Sequence, residues 1–185
     1  MKIILSGVLI SLLVCFPALA KPKSSNLPYC DFAEEEPSSI ERTVTLTEVG
    51  ISIKIPVNTR VVKKTDGSIE LMDNGTYQLF QCSSKPNSGV AGRGYLYTKI
   101  EKSKTDYLYS NVLKEVPGKE KMWIAAKTNY LQDGSKDFDI WLRIQTSKGI
   151  FDISTEQYGP LQTQQEIKEK VKEMIAIALF ITINE

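Results

Sequence analysis

Apolar and polar residues alternate along most of this chain. Val44 and Leu46 alternate with Thr43, Thr45 and Thr47, and Ile51, Ile53 and Ile55 alternate with Ser52 and Lys54 until Pro56 ends the run. A period of two sends one set of side chains to a buried face and the other to water, which is the pattern of a half-buried strand. Arg60 to Lys64 reads as another strand, followed by the hairpin signal Asp66-Gly67. Ile69 to Met72 is the next strand, and Asp73-Asn74-Gly75 predicts a turn after it. Thr76 to Cys82 is β-branched and aromatic, so its composition predicts a strand. Ser83 to Gly94 has loop composition, and Tyr95 to Glu101 and Trp123 to Leu131 return to strand. Residues 103–117 are ambiguous in period, and a helix ending before Pro117-Gly118 fits them. The clearest hairpin lies further on. Phe138, Ile140, Leu142 and Ile144 alternate with Asp139, Trp141, Arg143 and Gln145, and Lys148-Gly149 turns the chain into Ile150 to Thr155.

The period changes near the C-terminus. Ile167, Val171, Met174, Ile175, Ala178 and Leu179 form one apolar stripe on a helix from about residue 163 to 179. Thr163 and Glu166 have the spacing of a capping box. Lys168, Glu169, Lys170, Lys172 and Glu173 are expected on the wet face, and Phe180 to Ile183 as a short closing strand. The sum is an α+β domain: an antiparallel sheet of about seven strands with one or two packed helices.

The first residues obey a different rule. Lys2 precedes an apolar run from Ile3 to Phe16, and Pro17-Ala18-Leu19-Ala20 follows with small residues at the end. This three-part pattern is that of a signal peptide cleaved after Ala20. The apolar run is shorter than the about 20 residues of a membrane-spanning helix. Residues 21–39 carry three prolines and Glu34-Glu35-Glu36, which is the composition of a flexible segment. Residues 40–185 then form a single globular domain.

Loss of residues 1–20 removes Lys2 and leaves acidic and basic residues in balance. A neutral domain offers no broad field for nucleic acid or an anionic membrane. Cys15 leaves with the leader, so Cys30 and Cys82 remain as an even pair in an oxidising compartment, where pairing is the default.

Gly50-Ile51-Ser52-Ile53-Lys54-Ile55-Pro56 resembles the opening "glycine, alternating strand, proline" of the PsbP-like family, extrinsic proteins of the lumenal face of photosystem II and their relatives. The amphipathic helix running into Phe180-Ile181 resembles that family's C-terminal helix and last strand. The resemblance covers residues 44–64 and 150–183. It implies an α/β/α sandwich and export to a thylakoid lumen or periplasm. Val57-Asn58-Thr59 stands where the family has an aromatic, and the chain has no histidine to stand for the family's metal ligands.

The absence of histidine also removes Ser-His-Asp and Cys-His machinery and His-rich metal sites. Asp137 and Asp139 share a strand face and could act as a glycosidase pair, but a wet sheet face needs the same pattern. Asp133, with Asp137 and Asp139, lacks calcium-loop spacing. Gly89 to Gly94 has phosphate-loop glycines without the Lys-Ser/Thr that should follow. Asn74-Gly75-Thr76 fits a glycosylation sequon and a turn equally. The best remaining candidates are Arg93, Tyr95, Tyr97, Trp141 and Arg143, residue types enriched at binding hot spots; Tyr107 and Tyr109 extend the tyrosine cluster.

The expected protein is therefore an exported, non-enzymatic domain that binds a protein partner, such as an accessory or assembly factor of a membrane complex. Its compartment would be a periplasm, a thylakoid lumen or the exterior, and no cofactor or metal is expected. A small secreted carboxylate hydrolase and a structural or adhesin subunit are the alternatives.

Overall fold

A computed structural model describes residues 29–90, 97–104, 112–155 and 161–184. The leader, Arg93, Tyr95, Tyr107 and Tyr109 lie outside the described residues.

The fold is α+β, with mostly antiparallel pairing. Strands β1 (Tyr29–Cys30), β2 (Glu41–Leu46), β3 (Ile51–Pro56), β4 (Arg60–Lys63) and β5 (Ile69–Met72) precede helix α1 (Asn74–Ser83). Then come β6 (Gly89–Val90), β7 (Tyr97–Lys102), β8 (Val112–Glu115), β9 (Met122–Tyr130), β10 (Lys136–Thr146) and β11 (Gly149–Thr155). Helix α2 (Gln164–Leu179) and β12 (Ile181–Ile183) close the chain. The main sheet has seven strands in the order β4-β5-β7-β11-β10-β9-β8. A second sheet has the order β12-β3-β2, and β1 pairs with β6 in parallel.

Register explains the core. Ile140, Leu142 and Ile144 stand opposite Ala126, Ile124 and Met122 on β9. Leu142 and Ile144 also face Ile153 and Phe151 on β11, and Ile153 continues to Ile100 and Ile69. These residues make one apolar face. The other layer of the core comes from Ile51, Ile53 and Ile55 of β3, Met174 and Ala178 of α2, and Ile181 of β12.

The opposite face of the main sheet carries Glu70, Met72, Tyr97, Lys99, Glu101, Asp152, Arg143 and Trp123 in successive strands. Helix α1 lies on this face, with Arg60 against its Tyr77 ring and Lys64 against its Phe80 ring. The two helices therefore flank the main sheet.

Two expected elements differ. Thr76 to Cys82 is helical because Asp73 caps it: the Asp73 carboxylate accepts from the Thr76 N–H at 3.0 Å and from the Thr76 hydroxyl. The expected turn at Asp73-Asn74-Gly75 is thus the start of a helix, since a good cap outweighs a weak strand preference. Val112–Glu115 is a strand, paired with β9 through a bulge, where the sequence fits a helix. The hairpin β10–β11 and α2 with its Thr163–Glu166 capping box match the sequence pattern.

Two side chains of α2 also depart from the expected stripe. Lys170 is only 7% exposed, and Leu179 is 61% exposed. Lys170 extends its ammonium group to Thr155 and to Glu173 at 3.1 Å, so its charge is matched where it is buried.

Cys30 and Cys82 form a disulfide that joins β1 to α1 across 52 residues. In the chain-entropy model such a loop contributes about 4 kcal/mol. The double variant Cys30→Ser/Cys82→Ser is expected to melt about 8–16 °C lower, the shift that this energy gives in a domain of this size. Calorimetry of both proteins under non-reducing conditions measures it, and equal melting temperatures would remove the bridge as a source of stability.

Candidate functional site

Between Cys30 and Ser38 the chain has no regular structure, yet it is fastened at several points. The disulfide holds its start. The Glu35 N–H donates to Asp73 Oδ1 at 3.0 Å, and Asn74 Nδ2 donates to Glu35 Oε1 at 2.8 Å. Further along, the Ser38 N–H donates to Asn58 Oδ1 at 3.0 Å, while Asn58 Nδ2 donates to the Glu36 carbonyl at 2.9 Å. The Ala33 carbonyl passes over Gly75 so closely that a Cβ there would sit 1.8 Å from its oxygen. Residues 30–38 thus form a strap, and Gly75 is the position over which it can cross.

The strap is one wall of a cleft of about 520 Å³. Glu34, Glu35 and Pro37 line it from the strap. The end of β5 and the start of β7 contribute Leu71, Met72, Tyr97 and Thr98, and β3 contributes Ile53, Lys54 and Ile55. Ile177 and Phe180 come from the end of α2, and Phe180 is 45% exposed. The floor is therefore apolar. Among the described residues, Glu34, Glu35, Asp73, Glu173 and Lys54 are the charged ones along the rim, and the Arg42 guanidinium donates to the carbonyl of Thr59, which also lines the cleft, at 2.9 Å. A smaller cavity of about 240 Å³ lies under α1, and Met72 and Tyr97 line both spaces.

Three of the rim carboxylates are bound within the fold. Asp73 feels two opposed effects. Burial raises its pKa, but the hydrogen bonds from Thr76 and from the Glu35 N–H outweigh it and hold the carboxyl below its ordinary 3.8. Glu173 accepts from the Thr155 hydroxyl at 2.6 Å and pairs with Lys170 at 3.1 Å. Glu35 accepts from Asn74. A general acid needs a raised pKa, so Asp73 is unsuited to that task.

The residues singled out from sequence do not converge. Tyr97 lines the cleft. Trp141 is half-buried on β10, two strands from β7, with β11 between them. Its indole Nε1 is buried without a hydrogen-bond partner. Arg143 corrects the expectation of a presented cation: it is 2% exposed. Its Nε donates to Asp152 Oδ1 at 2.7 Å, and its Nη2 donates to Asp152 Oδ2 and the Ser103 hydroxyl at 3.0 Å. The alternation on β10 placed Arg143 on the outer face correctly, but that face is covered here. Its guanidinium stands 5.7 Å from the Trp141 ring centroid.

Asp137 and Asp139 lie on the same strand face, and neither lines the cleft. Asp139 is exposed and accepts from Asn129 at 2.9 Å, whereas Asp137 Oδ1 is buried and unpartnered. Asp133 accepts from the N–H and hydroxyl of Ser135 in a turn. Among the described residues no three acidic or cysteine side chains are grouped to hold a metal ion.

The Cys30–Cys82 pairing expected from sequence accounts for the fastening of the strap near Cys30; sequence reasoning missed that its acidic residues form a wall. The available signal was Cys30, which ties that segment to the domain. No protein-family model matches the chain, and no curated protein matches it. No helix among the described residues is long and apolar enough to cross a membrane.

Two outcomes follow from these contacts. Arg143→Met leaves Asp152 facing a lost partner on a covered face and is expected to cost about 3–5 kcal/mol. Urea unfolding measures it, and a loss below about 1 kcal/mol, the range of a surface pair, would contradict the buried pairing. Asp73 supplies a pH signature. Its folded-state pKa is depressed, so its stabilisation is complete above the ordinary carboxylate value of 3.8 and is lost as pH falls through the lower folded value. Asp73→Asn should flatten the acid limb of a stability-against-pH curve below about pH 4, and an unchanged limb would show that other carboxylates carry it.

Proposed function

We propose that this protein is an exported, non-catalytic domain that holds a protein partner in the cleft between the strap, the β5 and β7 strand ends and the end of α2. The observation that carries this reading is the cleft's make-up: an open space of about 520 Å³ with an apolar floor, and an aromatic ring held at its edge. That volume falls within the about 300–1,000 Å³ of small-molecule pockets, which is room for a few side chains of a partner and not for a large interface. Aromatic side chains at such positions are the usual anchors of binding.

The disulfide supports an oxidising compartment, because such bridges persist in exported proteins and are rare in the cytosol. The signal-like leader supports the same route. A periplasm, a thylakoid lumen or the exterior all meet this condition. The PsbP-like resemblance adds the narrower role of an accessory or assembly factor at a membrane complex. The carboxylate-hydrolase reading is weaker, since Glu35, Asp73 and Glu173 serve the fold and the Asp137 and Asp139 pair does not line the cleft.

A photo-reactive phenylalanine analogue placed at Phe180 tests the reading in the cells that make the protein. The same analogue at Tyr130, which is exposed and lies outside the cleft, is the control. One adduct of discrete mass from position 180, absent from position 130, is expected. Equal labelling from both positions, or none from position 180, would reject the cleft as the binding site.

A further inference from the structure

Acidic residues outnumber basic ones along the described lining of the cleft. Among the described residues its lining holds four acidic residues, Glu34, Glu35, Asp73 and Glu173, and one lysine, Lys54, while the Arg42 guanidinium donates to the Thr59 carbonyl, also of the lining, at 2.9 Å. Lys170 offsets part of the Glu173 charge from behind, through a contact of 3.1 Å. Asp73 stays ionised because its hydrogen bonds favour the charged form. Glu34 is exposed and stands on the strap beside Glu35. Below this rim the floor is built from Ile53, Leu71, Met72 and Ile177.

We propose that the cleft receives a segment of the partner protein in which an apolar side chain lies next to a lysine or arginine. The apolar group fills the floor, and the cation stays at the strap wall. Charge complementarity of this kind selects partners and rejects like charge more than it adds raw affinity. The proposal rests on the cleft being the partner site, and it adds the chemistry of the segment.

The strap makes the charge removable without touching the core. Glu34 has an exposed side chain, so Glu34→Gln and Glu34→Lys alter the wall and leave the packing alone. Gly75→Ala does the converse. Its new Cβ would meet the Ala33 carbonyl oxygen at 1.8 Å, so the strap must shift while its acids and the disulfide remain.

The test uses the oxidised protein and three fluorescent hexapeptides: alternating Leu and Arg, alternating Leu and Glu, and alternating Ser and Arg. The Leu-Arg peptide is expected to bind at least about tenfold more tightly than either of the others, with a gap to Leu-Glu that narrows as salt is added. Glu34→Gln should weaken Leu-Arg binding by about two- to fivefold, the range of one exposed ion pair. Glu34→Lys should weaken it further, and Gly75→Ala should weaken it with the melting transition still cooperative. Equal binding of Leu-Arg and Leu-Glu peptides, or no binding of either, would overturn the cationic segment. If the Phe180 adduct still forms in that case, partner binding at the cleft survives and only its charge preference is lost. Hexylammonium binding as tightly as the Leu-Arg peptide would make the occupant a small amphiphile and would overturn both.

Discussion

The Cys30–Cys82 bridge holds a segment that could not hold itself. Residues 31–39 contain one aromatic, Phe32, and otherwise little that could stabilise by burial. Ordering such a segment costs about 1–2 kcal/mol per residue in backbone freedom. The bridge meets part of that cost by closing the loop in the unfolded chain as well. It also brings Glu35 within reach of the Asp73 cap, so one carboxylate ends up serving both the helix start and the strap. Helix, strap and cleft wall are coupled through this point.

The main sheet is asymmetric in what it buries. One face is aliphatic and meets α2 and the small sheet. The other carries a run of paired charges: Lys64 with Glu70 and Arg143 with Asp152 across neighbouring segments, and Lys99 with Glu101 along β7. Ion pairs of this kind add little net stability when desolvation is counted. The Arg143–Asp152 pair, which joins β10 to β11, does oppose a slip in register. A one-residue shift of β10 would turn Arg143 into the aliphatic core and bring Leu142 or Ile144 to the charged face. The apolar face would suffer equally, so both faces specify the same pairing.

What the sequence made legible follows from local periodicity. β3, the β10–β11 hairpin and α2 each repeat one pattern over enough residues to override noise, and α2 also carries its own start signal at Thr163 and Glu166. Helix α1 was hidden because Thr76, Tyr77 and Phe80 favour strands, and the deciding atom lies outside the segment, on Asp73. Arg143 and Lys170 were misread for a related reason. Alternation and helical spacing tell which face a residue occupies, but they do not tell whether another layer covers that face. The cleft was illegible on the same ground. Its lining runs from Glu34 to Phe180, and only the tertiary fold brings those positions together.

Phe180 is an exposed aromatic on a hydrogen-bonded stretch of backbone. The residue sits where α2 ends and β12 begins, and its backbone is hydrogen-bonded on both sides. Its carbonyl accepts from the Lys54 N–H at 3.0 Å, and its N–H donates to the Ile177 carbonyl at 3.1 Å. Lys119 crosses the same junction, donating to the Ile181 carbonyl at 2.9 Å, where a helix end and a cation attract. An aromatic ring on a hydrogen-bonded base loses little entropy when a partner covers it. Its exposure beside an apolar floor serves no need of the core, which closes through Met174, Ala178 and Ile181 instead. Exposed apolar surface that is continuous with a cleft and ordered in advance is what the proposed partner site requires, because a preordered surface loses less entropy on binding.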